Sequence, residues 1–335
     1  MAEPLLAIEH LEIRGPAGAV VSDVGFSVDA GEVVCVVGES GCGKSLTALA
    51  VLDLLPQGLA VTRGAVRFEG RDVLPGDARR GLRGRAVGMI FQEPATALNP
   101  VYTIGFQIGE MLPGLSRAAR RGRIAALLHK VGLDPGTADA HPHQLSGGMK
   151  QRAMIAMALA GEPRLLLCDE PTTALDPTVG AQILSQLRAL SQEGLGVVLI
   201  THDFHAVSRM RGKIVVMYAG QVVERGPVSA VLDAPAHPYT AALLATLPAK
   251  GRRPGSIPGQ VPPPGMRPPG CPFFNRCARV LPRCEAQPPP WRVAGEGHEH
   301  RCHRSDGSDV SDRSDTSDRS DRSDTSDRSD PGGSS

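Results

Sequence analysis

The sequence predicts an α/β core with an inserted helical subdomain and a small, irregular, cysteine-containing C-terminal extension. Three observations predict it. Short apolar runs alternate with helical stretches over residues 1–248, the rhythm of a sheet covered by helices. Residues 94–160 interrupt that rhythm with mostly helical patterns, such as Arg117 to Val131 and Gly147 to Ala160. Residues 249–303 are rich in Pro, Gly, Cys and Arg, a composition that forms little regular structure unless something ties it down. Beyond them, nine Ser-Asp pairs run from Ser305 to Asp330. Nothing there can bury a core, so residues 304–335 are expected to form a disordered tail.

Composition excludes several function classes. The 335 residues are 41% hydrophobic, ordinary for a globular chain. A net charge of +1 argues for neither nucleic acid nor an anionic membrane as a bulk electrostatic partner. No run approaches the roughly 20 apolar residues of a membrane-spanning helix. Met1-Ala2-Glu3-Pro4 opens neither a basic nor a long apolar segment, so no secretion signal is expected. The expected location is cytosolic, and any membrane role requires docking on another chain's membrane domain.

Val33 to Val37 reads as a buried strand and Leu46 to Leu55 as a helix. Between them lies Gly38-Glu39-Ser40-Gly41-Cys42-Gly43-Lys44-Ser45, a phosphate-loop pattern in the strand–helix context that the pattern needs. Glycines let the backbone curl so that N–H groups face phosphates, and the helix start, at Leu46, adds a favourable dipole. Lys44 would reach the β- and γ-phosphates and Ser45 would ligate Mg²⁺. Taken alone, the pattern also describes a glycine-rich turn before a helix. Leu165-Leu166-Leu167-Cys168-Asp169-Glu170 reads as a second apolar strand that ends in two carboxylates. Asp169 suits Mg²⁺, and Glu170 suits a water-activating base. Alone, this pair reads as a strand capped by solvated acids; beside a phosphate loop it reads as chemistry.

Leu145-Ser146-Gly147-Gly148-Met149-Lys150-Gln151 resembles the signature motif of the ABC ATPases and precedes Asp169-Glu170. Gln92, after Met89-Ile90-Phe91, resembles their Q-loop; Ala174-Leu175-Asp176 the D-loop; and His202, after Val197 to Ile200, the switch histidine. The resemblance implies a P-loop ABC-type fold whose cassettes dimerise head to tail. ATP then lies between one phosphate loop and the partner's Ser146, Gly147 and Gly148, with Asp176 across the same interface. It implies catalytic roles for Glu170, His202 and Gln92, the last also sensing Mg²⁺. The family usually has an aromatic on the first strand to stack on adenine; Leu11 to Gly15 has none, and Arg14 is the flat cation that could take its place.

Phe91-Gln92-Glu93-Pro94-Ala95-Thr96-Ala97-Leu98-Asn99-Pro100 and His237-Pro238-Tyr239-Thr240 resemble the oligopeptide and dipeptide importer subfamily. This resemblance implies a subunit at the cytoplasmic face of the membrane that powers peptide import. Its partners would be two membrane permeases, a second ATPase subunit (its own copy or a sister chain) and, indirectly, a substrate-binding protein. The surface from Gln92 to Pro100 would receive a permease helix. Import of nickel or another small solute by the same subfamily is an alternative. A soluble ABC ATPase acting on DNA or ribosomes is a further one, opposed by the single cassette and the lack of a heptad stretch or basic patch. A metal-sensing regulator is a third.

The extension carries Cys271, Cys277, Cys284 and Cys302. Four thiolates suit a [4Fe–4S] cluster or tetrahedral Zn²⁺, with free thiols as the bland alternative. Some peptide-importer ATPases resemble this pattern and carry an iron–sulfur cluster. His298, His300 and His303 crowd Cys302 and could replace a ligand. Cys42 is expected to fill the phosphate loop, and Cys35 and Cys168 to fill the core. His10, His129, His141 and His205 lack ligand spacing and read as structural or solvated.

Overall fold

Apolar residues alternating from Leu6 to Gly15 form β1, which turns at Pro16-Ala17 into β2 (Gly18–Val28). With β4 (Ala60–Phe68) and β5 (Arg71–Asp72) they make a four-stranded antiparallel sheet, order β2-β1-β4-β5. The second sheet comprises β3 (Val33–Val37), β6 (Val87–Ile90), β7 (Leu165–Asp169), β8 (Gly196–Thr201), β9 (Lys213–Tyr218), β10 (Gln221–Pro227), β11 (Trp291–Gly295) and β12 (His298–Arg301). Its order is β11-β12-β10-β9-β3-β8-β7-β6; β9, β3, β8, β7 and β6 are parallel, and the rest add antiparallel. The computed structural model describes residues 3–74, 81–247 and 255–304. The Ser-Asp tail and the expected boundary at residue 248 lie outside them.

β3 is buried at every position because it is covered on both faces. Val33, Cys35 and Val37 point to one core, Val34 and Val36 to the other. Each fully buried Val or Leu of these strands contributes about 1.5–3 kcal/mol by leaving water. Cys35 and Cys168 fill this core at 0% exposure, as expected, and burial pushes the Cys35 thiol up to about 12.

Helix α1 (Lys44–Val51) follows β3. It starts earlier and stops sooner than the Leu46–Leu55 run suggests. Asp53 takes a left-handed φ of 54° that a helix cannot continue through, and Pro56 follows. Between β6 and β7 lie α2 (Pro94–Ala97), α3 (Ile104–Glu110), α4 (Arg117–Lys130), two 3-10 turns and α5 (Gly147–Leu159). Thr103, Ser116 and Ser146 start α3, α4 and α5 by accepting a backbone N–H with the side-chain oxygen. α4 buries Ile124, Leu127 and Leu128 at helical spacing. Further on come α6 (Pro177–Gln192), α7 (Phe204–Met210), α8 (Val228–Asp233) and α9 (Pro238–Ala245).

The extension has two 3-10 turns, Phe274–Arg276 and Pro282–Cys284, and the hairpin β11–β12. β12 pairs with β10, Glu224 opposite His300 and Arg225 opposite Glu299, so the extension continues the main sheet. Phe273, 2% exposed, packs edge-on against Tyr218 and Tyr239 at 5.2 and 5.4 Å between ring centroids.

Candidate functional site

Four neighbouring parallel strands end on one side of the main sheet. β3 runs into the loop Gly38–Lys44, β8 into His202, β7 into Glu170 and β6 into Gln92. The carboxyl ends of parallel strands are where open α/β sheets bind ligands. The loop is pressed against the sheet. Gly38 has a φ of 152°, and a Cβ there would meet the Met217 carbonyl oxygen at 2.1 Å; Gly43 has a φ of 95°, and a Cβ would meet Val21 Cγ2 at 2.7 Å. Both positions therefore require glycine.

Lys44 is buried, and its Nζ donates to the carbonyls of Gly38 at 2.8 Å and Glu39 at 3.0 Å. Cys42, 1% exposed, fills the loop as expected; burial drives its thiol pKa above the ordinary value. Ser45 Oγ donates to Asp169 Oδ1 at 2.9 Å. Burial raises the Asp169 carboxyl, with the Ser45 bond pulling the other way. These two residues form a hard-oxygen donor pair of the kind Mg²⁺ takes.

Glu170 sits one residue past β7. Thr173 Oγ1 donates to its Oε2 at 2.5 Å, and His202 Nδ1 lies 2.9 Å from its Oε1. Partial burial pushes the Glu170 carboxyl up, but the bonds from Thr173 and His202 outweigh it and hold it below the ordinary 4.5. Lys44, Ser45, Asp169, Glu170 and His202 thus converge. Gln92 is exposed just past β6 and makes none of these bonds.

Ser146, Gly147, Gly148 and Asp176 form a separate group. Ser146 Oγ accepts from Met149 N at 3.3 Å to cap α5, and Asp176 Oδ1 accepts from Thr178 N and Val179 N at 2.9 and 3.0 Å to cap α6. A Cβ on Gly148 would lie 2.6 Å from Val179 Cγ1, and one on Gly147 3.5 Å from Leu175 Cδ2. The two helix starts are therefore side by side, with Ser146 and Asp176 open to solvent.

The expected metal centre has no support. Cys271, Cys277, Cys284 and Cys302 are free thiols, close enough for a charge on one to be felt by another. Yet among the described residues no group of three or more His, Cys, Asp or Glu side chains is arranged to hold a metal ion. Burial raises the Cys271 thiol to about 12 and pushes Cys277 and Cys302 up as well. Two of the three candidate substitute histidines are engaged elsewhere: His298 Nε2 lies 2.7 Å from Glu224 Oε1, and His303 Nε2 is 2.9 Å from the Gln287 carbonyl. The extension is tied down by protein contacts: the β10–β12 pairing, the Phe273 aromatic cluster and Cys271 N–H donating to Cys284 O at 2.7 Å.

Arg14, the expected stand-in for an aromatic, is exposed and ion-paired with Glu12 at 3.6 Å. The start of β2 is touched by the extension, where Arg267 Nη2 donates to the Ala19 carbonyl. Three residues have a part at the site that the sequence motifs did not assign: Thr173, which bonds Glu170; Tyr239, whose Oη accepts from Glu39 N at 3.0 Å; and Arg276, whose Nη1 pairs with Glu39 Oε2 at 2.7 Å. Arg276 stands directly before Cys277.

Residues 21–173 match the family described as ABC transporter, and residues 223–284 match the oligopeptide/dipeptide transporter C-terminal region. The chain is 47% identical over 314 residues to the dipeptide transport ATP-binding protein DppD of Escherichia coli, spanning 89% of this chain and 96% of that one. Its fold is similar to CbiO1 of Clostridium perfringens, part of an ABC transporter complex (TM-score 0.62, 26% identity, 69% of this chain and 92% of that one). It is also similar to a dimeric ATP-binding cassette in a post-hydrolysis state with ADP and phosphate (TM-score 0.60, 28% identity, 67% and 98%).

Proposed function

The chain belongs to the family of ABC transporter ATP-binding subunits, and we propose that it hydrolyses ATP to power import of di- and oligopeptides across the cytoplasmic membrane. The observation that carries the peptide reading is the 47% identity to a dipeptide transport ATP-binding protein across nearly the whole of both chains. The match of residues 223–284 to the oligopeptide/dipeptide C-terminal region supports it independently of the cassette.

The geometry supports a division of labour. The glycine loop and Lys44 would bind the β- and γ-phosphates. Ser45 and Asp169, with Gln92 reaching in from β6, would hold Mg²⁺, which neutralises phosphate charge when bound. Glu170, ionised and oriented by Thr173 and His202, would accept the proton of the attacking water. His202 would also contact the γ-phosphate. The exposed starts of α5 and α6 suit a second site half: Ser146, Gly147, Gly148 and Asp176 would meet nucleotide held by a partner cassette, where helix N-termini favour anions.

The membrane partners would dock beside Gln92. Phe91, Val101, Tyr102 and Phe106 are exposed there, Val101 at 74%, and Tyr102 stacks on Phe106 at 4.5 Å. Such an apolar patch suits an amphipathic helix of a permease. No helix among the described residues is long and apolar enough to cross a membrane, consistent with a peripheral subunit on the cytoplasmic face.

The test is ATPase activity of the complex reconstituted with its permeases, a sister cassette and binding protein. Di- and tripeptides are expected to stimulate turnover several-fold. Stimulation by a nickel chelate or another small solute, with none by peptides, would transfer the subunit to that cargo.

A further inference from the structure

The phosphate loop is gripped through one residue, Glu39, by α9 and by the C-terminal extension. Its backbone N–H donates to Tyr239 Oη at 3.0 Å. Both its carboxylate oxygens accept from Arg276: Nη1 to Oε2 at 2.7 Å and Nη2 to Oε1 at 3.0 Å. The Arg276 side chain is 4% exposed. Its other bonds fix it further, Nη1 to Tyr218 Oη at 3.2 Å, Nη2 to the Ile257 carbonyl at 3.2 Å and Nε to the Pro258 carbonyl at 2.9 Å. A planar guanidinium held on every edge sets the direction of its partner as well as its distance.

The residue so held is one of the two that receive Lys44. The Glu39 carbonyl accepts Lys44 Nζ at 3.0 Å, beside the Gly38 carbonyl at 2.8 Å. A change in Glu39 therefore reaches the lysine that meets the phosphates. The grip also has a rigid base. Tyr239 lies in α9, and Arg276 ends the 3-10 turn that begins beside Phe273, which packs between Tyr218 and Tyr239. A loop of glycines has many alternative shapes. Ordering it before nucleotide arrives removes that entropy from the binding step.

We propose that Arg276 is a positioning residue for nucleotide binding: through Glu39 it holds the phosphate loop in its binding shape, so that the C-terminal extension sets the ATP affinity of the cassette. This rests on the ATP-hydrolysing reading above and adds a control on the same site. Arg276 touches none of Asp169, Glu170 or His202, so its loss acts on affinity rather than on the chemical step.

The test is calorimetric binding of Mg·ATP to the full chain, together with kcat and KM for ATP in the reconstituted complex. Arg276→Ala and Glu39→Gln are each expected to weaken binding and raise KM about tenfold, the effect of losing a buried charge-assisted pair. In Arg276→Ala, kcat at saturating ATP stays within about twofold, because uniform binding is what is lost. The double variant is no weaker than either single one, because both remove one interaction. Arg276→Lys, which keeps the charge without the fork, falls between wild type and Arg276→Ala. Unchanged affinity in both single variants, losses that multiply in the double variant, or a loss confined to kcat would each overturn the proposal. If Arg276→Ala does not fold, Glu39→Gln decides alone, and normal affinity in it overturns the proposal. A wild-type chain that fails to bind Mg·ATP, or a Lys44→Ala variant that binds it normally, would instead overturn the ATP reading.

Discussion

Glu170 holds a left-handed backbone, with φ at 47°, that an L-residue adopts at a cost of order 1 kcal/mol. Its N–H donates to the Ile200 carbonyl at 2.9 Å, so the bend is fixed by β8, the strand that also delivers His202. The carboxylate leaves the strand axis and turns toward Thr173 and His202. Its pKa lies below 4.5, so it remains an anion, able to accept a proton, across the neutral range. Glu170→Gln removes the base and keeps the shape. It is expected to lower steady-state ATP turnover at least about a hundredfold, the usual scale of general-base loss, while Mg·ATP binding measured by calorimetry survives. Turnover near wild type would assign the base elsewhere.

At the scale of elements, α9 hinges on a buried histidine. His237 caps it, with Nδ1 accepting from Tyr239 N at 3.0 Å, and its own N–H donates to Glu224 Oε2 at 3.0 Å. Its ring is fully buried, beside the Arg301 backbone. Burial depresses the His237 pKa from 6.5 to about 4; Glu224 opposes the shift and His300 adds to it. Between those two values the unfolded chain binds a proton that the folded chain refuses. Stability is therefore full above pH 6.5, falls as pH drops toward 4 and levels off below. The loss across that window is about 3 kcal/mol. His237→Asn keeps a capping oxygen and removes the titration, so the drop in Tm between pH 7 and pH 4.5 should be smaller in the variant than in wild type. Equal drops would mean that other groups dominate the acid limb. Since α9 carries Tyr239 to the phosphate loop, this buried histidine ties the stability of α9 to the site.

For the whole molecule, the decisive fact is that the site residues fall into two groups. One gathers at the strand ends around Lys44 and Glu170; the other, Ser146 to Gly148 with Asp176, faces solvent at the starts of α5 and α6. If the second group completes a partner's site, Ser146→Arg should leave Mg·ATP binding to the isolated subunit within about twofold and cut ATPase of the assembled complex roughly a hundredfold, the scale of losing a preorganised phosphate donor. Loss of binding by the isolated subunit would assign Ser146 to its own chain's site.

Much of this was legible along the chain because it is local. An apolar strand followed by Gly38 to Ser45, a second ending in Asp169-Glu170 and a third ending before His202 each state their own chemistry, and helix caps such as Ser116 and Ser146 state their own starts. The sequence by itself therefore determined the fold class, the nucleotide loop and the order of the site's parts. Local pattern says nothing of which strand ends meet. The adjacency of β3, β8, β7 and β6, the solvent-facing second group and the bond from Arg276 to Glu39 across 237 positions were decided by packing. The extension marks the same limit: the β12 pairing, the buried aromatics and the Arg276 bonds that order it are invisible in its cysteine spacing. Periodicity and spacing report how a segment folds on itself, and long-range contacts depend on surfaces that exist only once the segments have come together.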